Sequence, residues 1–391
     1  MHKFIMYLTV LCLTLFFLGC STFSNNNKPL NLSGQYYNYL QPSFDQYLAE
    51  TKDWLSEHRA FISDNHEKEL AMNMPFERGN KNSKKAILLV HGLGDSPYSF
   101  SDLATTFSEQ GFYVQVLLLP GHGSKPEDMY LTTYQDWQNI VDHYANLLKK
   151  DYQEVWLSGF STGANLTAIH TLNNEGIDGL IFISPGFESL NPTLEKLSSI
   201  VSVFWDGISK KENNFARYSS ISMHGMAQYS DSAVAFRKAI SDKNITVPTL
   251  IAISEADSII NSQATTEFFA DKFVNPNNHL IWYGDQHSLR IKQRTQAYSM
   301  KLDALHISTA SHMSPLFSPN NSYYGKEAEK LICTNSLDEE QTQSCKQGEN
   351  VWFSAWGYQE EGKVYARLTW NPYFDNLKYE ISKLVGYLII D

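Results

Sequence analysis

Residues 159–163, Gly-Phe-Ser-Thr-Gly, are spaced for nucleophilic chemistry at Ser161. A serine on a strained strand-to-helix turn presents its hydroxyl above a sheet edge, and glycines on either side remove the Cβ atoms that would collide where strand and helix approach. Glu154-Val155-Trp156-Leu157-Ser158 predicts a strand before the turn, and Gly163, Ala164 and Ala168 open a small-residue helix after it. The serine then stands at a helix N-terminus, where backbone N–H groups favour developing negative charge. The structural alternative is a tight turn whose serine only caps the helix. A second glycine-rich stretch, His91-Gly92-Leu93-Gly94-Asp95-Ser96-Pro97, follows another apolar run. Attack on a carbonyl needs two preset donors for the oxyanion. The N–H of Thr162, next to the nucleophile, and that of Leu93 are the candidates.

Ser161 also needs a base and an acid, in the chain order serine, acid, histidine. Pro248-Thr249-Leu250-Ile251-Ala252-Ile253-Ser254 predicts a buried strand, and Glu255-Ala256-Asp257 follows at its C-terminal end. Catalytic groups gather at that edge of a parallel sheet. Asp257 is the expected acid and Glu255 its rival. Two histidines compete as base. His287 lies just past strand-like Leu280-Ile281-Trp282-Tyr283, about 30 residues after Asp257, and spacing alone favours it. His312 follows residues 304–311, an apolar-leaning stretch that predicts a strand ending at that histidine. The remaining histidines, among them His122, His279 and His306, read as structural or exposed.

These groups require a frame of alternating strands and helices. Lys84–Val90, Phe112–Leu119 and Glu154–Ser158 read as strands, and Ser99–Gln110 and Tyr134–Lys150 as helices between them. That rhythm implies right-handed βαβ crossovers and an α/β fold with a mainly parallel central sheet flanked by helices. One helix is expected over Phe44–Asn73, from the stripe Leu48, Leu55, Ile62 and Leu70. From about 187 to 243 the chain leaves the rhythm, with Phe187, Leu190, Leu194, Leu197, Ile200 and Val203 at helical spacing, which predicts an insertion. Val364–Trp370 reads as a strand and Leu377–Ile390 as a closing helix.

The formal net charge of −11 argues against nucleic acid as a partner, and 42% hydrophobic content supports a large core. His2 and Lys3 precede an uncharged apolar run from Phe4 to Leu18, too short to span a bilayer, so residues 1–19 read as a cleaved secretory signal. Phe17-Leu18-Gly19-Cys20 resembles the bacterial lipobox, with Phe17 in place of the more usual leucine. That resemblance implies diacylglyceryl modification of Cys20, a tether over residues 20–43, and a membrane partner reached through lipid. Ser21, in place of an Asp, favours the outer membrane facing the periplasm. Cys333 and Cys345, separated by a polar loop, are expected to pair as a disulfide in an oxidising compartment. No metal or organic cofactor is implied.

Leu88–Leu103, Leu117–Gly123 and Gly159–Ala164 together resemble bacterial α/β-hydrolases of the lysophospholipase and monoacylglycerol lipase type, often labelled serine aminopeptidase-like. The likeness runs from about Pro75 to the C-terminus. In similar envelope proteins a Ser-His pair precedes Ser-Pro and Tyr-Gly, as Ser311-His312 precedes Ser318-Pro319 and Tyr324-Gly325 here. The resemblance therefore assigns the base to His312. It also implies a hydrolase domain over 44–391, a cap at about 187–243 over the site, and an acyl-ester substrate; beyond His312, the Cys pair is expected to staple a surface excursion at about 320–350. Peptide or amide cleavage, and a catalytically silent envelope lipoprotein, are the alternative functions.

Overall fold

Strands buried on both faces need helices above and below them. Lys85–Val90 and Glu154–Phe160 are buried along nearly their whole lengths, and Tyr113–Leu117, Gly179–Ile183 and Thr249–Ser254 throughout. The computed structural model describes residues 30–191 and 211–386, apart from 290, 292, 334, 336–338 and 349. The chain divides into residues 1–32 and residues 33–391. Of the first unit only 30–32 are described, so the signal segment and Cys20 lie outside the described residues, as do Leu194, Leu197, Ile200 and Val203 of the insertion.

Among the described residues, eight strands form one sheet: β1 (Phe76–Arg78), β2 (Lys85–Val90), β3 (Tyr113–Leu117), β4 (Glu154–Phe160), β5 (Gly179–Ile183), β6 (Thr249–Ser254), β7 (His279–Tyr283) and β8 (Thr295–Tyr298). Their order is β1-β3-β2-β4-β5-β6-β7-β8, with β1 antiparallel to β3 and every other pairing parallel. From β2 the chain winds first to β3 and then back to β4 on the other side. This reversal sets the ends of β2 and β4 side by side and opens a crevice at their C-terminal edge.

The flanking helices include α1 (Phe44–His58), α2 (His66–Asn73), α3 (Ser101–Glu109), α4 (Tyr134–Asp151), α5 (Thr162–Asn173), α6 (Met223–Ser241), α7 (Ser262–Lys272), α8 (Glu339–Gln347) and α9 (Phe374–Leu384). Thr133 and Asp136 form a reciprocal capping box at the start of α4, and Lys149 and Lys150 lie in its last turn, where the helix dipole favours cations. Trp137, Ile140, Val141, Tyr144 and Leu148 of α4 pack with Leu88, Val90 and Leu157 in one of the two large apolar clusters. The second cluster, containing Ile87, Phe107, Ile181, Trp370 and Leu377, carries α3 and α9. Val351–Ser354 and Val364–Arg367, β9 and β10, pair in parallel as a separate ribbon.

Four expectations need correction. The helix over 44–73 is two helices, because the chain turns after His58 around a buried Arg59–Glu69 ion pair at 3.0 Å. Glu69 also accepts the N–H groups of Ile62 and Ser63, which rewards an extended link over a continued helix. Residues 304–311 are not a strand. They form the short turn Asp303–Leu305, left-handed His306 and a bridge at Ile307, while the sheet's edge is taken by β8, whose Thr-Gln-Ala-Tyr has no apolar run to announce it. Residues 33–43 are not a free tether: Ser33 bonds both oxygens of Asp128, and Tyr39 bonds Asp136. The closing helix runs Phe374–Leu384, starting earlier than expected, and residues beyond 386 lie outside the described residues.

Candidate active site

Ser161 sits between β4 and α5 with φ of 53° and ψ of −115°, a conformation that L-residues avoid unless the surroundings impose it. Ser161 N–H donates to the Ile183 carbonyl at 3.1 Å, and Ser161 O accepts from Ala164 and Gly186, each at 3.0 Å. A Cβ at Gly159 would lie 2.3 Å from Ala164 N, and one at Gly163 would lie 2.0 Å from the Val90 carbonyl oxygen. Neither position can carry a side chain without moving backbone. The two glycines thus let α5 start directly over β2 and β4, with the serine at its N-cap.

The loop after β2 faces this turn. Asp95 N–H donates to Gly92 O at 3.2 Å, closing a turn with Leu93 and Gly94 at its centre, and Gly94 takes a φ of 74°. A Cβ on Gly92 would meet the Ser161 Cβ at 3.0 Å, so glycine permits the close approach. Two buried imidazoles hold the loop. Gly94 N–H donates to His122 Nε2 at 2.9 Å, and Leu119 N–H donates to His91 Nε2 at 3.0 Å. His91 Nδ1 lies 2.8 Å from Gly92 O and His122 Nδ1 lies 3.2 Å from Pro120 O, so each ring donates from Nδ1 and accepts at Nε2 as a neutral tautomer. Burial lowers His91 well below the ordinary histidine range and His122 to about 4, which keeps both rings in that form.

Asp257 follows β6. Its Oδ1 accepts the N–H groups of Ile259 and Ile260 at 2.9 and 3.1 Å, and its Oδ2 lies 2.6 Å from His312 Nδ1. The aspartate side chain is fully buried, whereas 15% of the histidine side chain is exposed. Ser311 secures the segment bearing His312: its hydroxyl donates to Leu368 O at 2.5 Å, and its carbonyl accepts from Ser254 Oγ, at the end of β6, at 2.8 Å. His312 also packs against Phe160, with ring centroids 5.0 Å apart. Glu255 turns away and accepts Asp285 N–H at 2.5 Å. His287 is exposed on the turn Gln286–Ser288 and lines a different cavity with Glu255 and Lys301. Geometry therefore brings Asp257 to His312 and leaves Glu255 and His287 outside.

Leu93, Ser161, Thr162 and His312 line one cavity of about 170 Å³. Thr162 opens α5, where first-turn N–H groups have no intrahelical acceptor. Phe160, Ile221, Met226, Ile259, Met313 and Trp356 supply apolar wall. Asp95, Arg217 and Arg367 also reach it; no sequence pattern links these three, which come from segments far apart in the chain. Met226 belongs to α6, so the interval 187–243 contributes to the wall of this cavity. Cys333 and Cys345 are bonded, joining the segment before α8 to α8 itself. Among the described residues no group of three or more histidine, cysteine or acidic side chains gathers as a metal site.

A strand-to-helix serine turn over a mostly parallel eight-stranded sheet defines an α/β hydrolase. Residues 81–287 match the family described as serine aminopeptidase, S33, and the chain belongs to that family. The match takes in Ser161 and Asp257 but ends before His312. The chain is 34% identical over 104 residues to a thermostable monoacylglycerol lipase of Bacillus sp. (strain H-257), covering 27% of this chain and 42% of that protein. The alignment thus spans less than half of that relative's own length. Against a carboxylesterase of Bacillus subtilis (strain 168) identity is 22% over 219 residues, 52% of this chain and 84% of that one. The solved monoacylglycerol lipase of Paleococcus ferrophilus superposes with a TM-score of 0.44 at 16% identity, covering 58% of this chain and 90% of that one.

Proposed function

We propose that this protein hydrolyses carboxylic esters through an acyl-enzyme intermediate on Ser161. The observation that carries the reading is a single cavity wall that joins Ser161, His312 and two oxyanion-donor candidates, with His312 held 2.6 Å from a buried carboxylate. His312 Nε2 takes the proton of Ser161 Oγ as that oxygen attacks the ester carbonyl. Asp257 accepts the hydrogen bond from Nδ1, which fixes the ring's tautomer and stabilises the imidazolium. The Leu93 and Thr162 N–H groups receive the oxyanion. Collapse breaks the carbonyl–alkoxy bond, and the alcohol leaves with the proton from His312. Water then gives a proton to His312 and its oxygen to the carbonyl, and collapse releases the acid and restores Ser161.

The apolar wall supports an acyl chain as the group next to the carbonyl, as in a lysophospholipid or monoacylglycerol, and the relatives' names, a monoacylglycerol lipase and a carboxylesterase, support an ester as the bond cleaved. Arg217, Ile221 and Met226, from the described part of the interval 187–243, support a cap that keeps water from the reacting ester. The lipobox-like Cys20 supports a lipid anchor in the bacterial envelope, and Ser21 after it supports the outer membrane facing the periplasm, where acyl esters are abundant. A hydrolysis panel of p-nitrophenyl esters, monoacylglycerols, lysophospholipids and aminoacyl amides tests the reading. Turnover of the esters supports it. Cleavage of the amides alone would replace it with a peptidase, and no turnover with a binding protein.

A further inference from the structure

The cavity at Ser161 shares Arg217, Trp356 and Arg367 with a larger one of about 430 Å³. Lys330 and Lys346 also line this second space, and among the described residues none that lines it is acidic. In a chain with a formal net charge of −11, four cations lining one space run against the overall balance. Resting on the esterase reading above, we propose that Arg217, Arg367, Lys330 and Lys346 form an anion subsite, and that the preferred substrate is an acyl ester carrying a phosphate or carboxylate.

One buried carboxylate, Asp95, faces the arginines from the Ser161 cavity, and it does not line the larger space. Asp95 lies 3.7 Å from Arg217 Nε, within ion-pair distance, and burial raises its carboxyl above the usual carboxylate range. Glu212 accepts Ser219 N–H and Ser220 N–H and lines another cavity. Burial first, and then the charge of Arg217, lowers Arg367 to about 9, while the charge of Asp95 acts the other way, as an incoming anion would. Lys330 is lowered in the same direction by burial, and its Nζ donates to the Asn213 carbonyl and to Asn213 Oδ1. Guanidinium groups offer planar paired donors to phosphate and carboxylate alike, and a wall of one sign concentrates such ligands. Covalent architecture supports the arrangement. Cys333 lines the space, its bonded partner Cys345 precedes Lys346, and Arg367 N–H donates to Ile332 O at 3.0 Å. The disulfide therefore joins the segments that present the two lysines, and the hydrogen bond to Ile332 ties them to the strand that presents Arg367.

Three esters with one acyl chain test this: 1-lauroylglycerol, its 3-phosphate, and 3-lauroylglycerate, with p-nitrophenyl butyrate as a reference. A single charge-assisted contact of this kind corresponds to a preference of about tenfold, so the ratio of kcat/KM for an anionic ester to that for 1-lauroylglycerol is expected to be about ten or more. The ratio should fall in 0.5 M salt and in the exposed-side variants Lys330→Gln and Lys346→Gln, and further in Arg367→Gln. A raised ratio for the phosphate alone or for the glycerate alone assigns the subsite to that anion. Equal turnover of neutral and anionic esters, or a ratio unmoved by salt and by both lysine variants, would overturn the subsite while leaving the esterase reading intact. If none of the four compounds is hydrolysed, the esterase reading falls and the subsite with it.

Discussion

Protonating His122 should loosen the loop that carries the Leu93 N–H. His122 is buried, accepts Gly94 N–H at Nε2, and is held at about 4 by burial. A free histidine titrates near 6.5, so between pH 6.5 and 4 the unfolded chain binds a proton that the folded chain refuses. Stability from this residue is therefore complete above about pH 6.5 and is lost as pH falls toward 4. The shift of about 2.5 units corresponds to about 3 kcal/mol at 1.36 kcal/mol per unit. In His122→Gln nothing at this position titrates, and the altered acceptor should cost about 1–3 kcal/mol at pH 7. Urea unfolding followed by tryptophan fluorescence at pH 7, 6, 5 and 4 measures both terms. Wild type should lose about 3 kcal/mol more than the variant across that range, since acidic groups elsewhere act alike in both. Parallel pH curves for the two proteins would refute the reasoning and mean that His122 is protonated or solvated in the native state.

His312→Ala should remove nearly all ester turnover while His287→Ala changes it by less than about tenfold; the opposite order, with both variants folded by circular dichroism, would transfer the base to His287. Replacing Cys20 by Ala should move the protein from the membrane pellet to the soluble periplasmic fraction, and continued sedimentation with membranes would remove the lipid anchor. Reducing the Cys333–Cys345 bond, which closes a loop of sequence separation 12, should lower stability by up to about 3 kcal/mol in urea unfolding. An unchanged midpoint would show that the loop is held without it.

Local signals were the legible ones. The strand, glycine turn and small-residue helix around Ser161 lie within about twenty consecutive residues, and each part constrains the next, so the turn could be read before any tertiary contact was known. Asp257 was similarly marked by the apolar run of β6 that ends just before it. His312 was not, because its partner lies 55 residues away and its segment is pinned by Ser254 and Leu368 instead of by a strand of its own. Spacing pointed to His287, and only the resemblance pointed to His312. The break after His58 was hidden by an apolar stripe that continues across it; the ion pair responsible joins residues ten apart, which periodicity does not reveal. Arg217 and Arg367 carry no motif at all. They become neighbours of Ser161 only when the loop before α6 and strand β10 fold back to the same edge.

Fluorophosphonate labelling of the intact protein, followed by peptide mapping, tests the central claim most directly. A serine activated by His312 and facing two oxyanion donors should take up one phosphonyl group at Ser161, with ester hydrolysis lost in step with labelling. Ser161→Ala should remain folded, take up no label and lose about a million-fold in turnover. Hydrolysis that persists in Ser161→Ala, or full inactivation by label mapped to a different residue, would contradict the account.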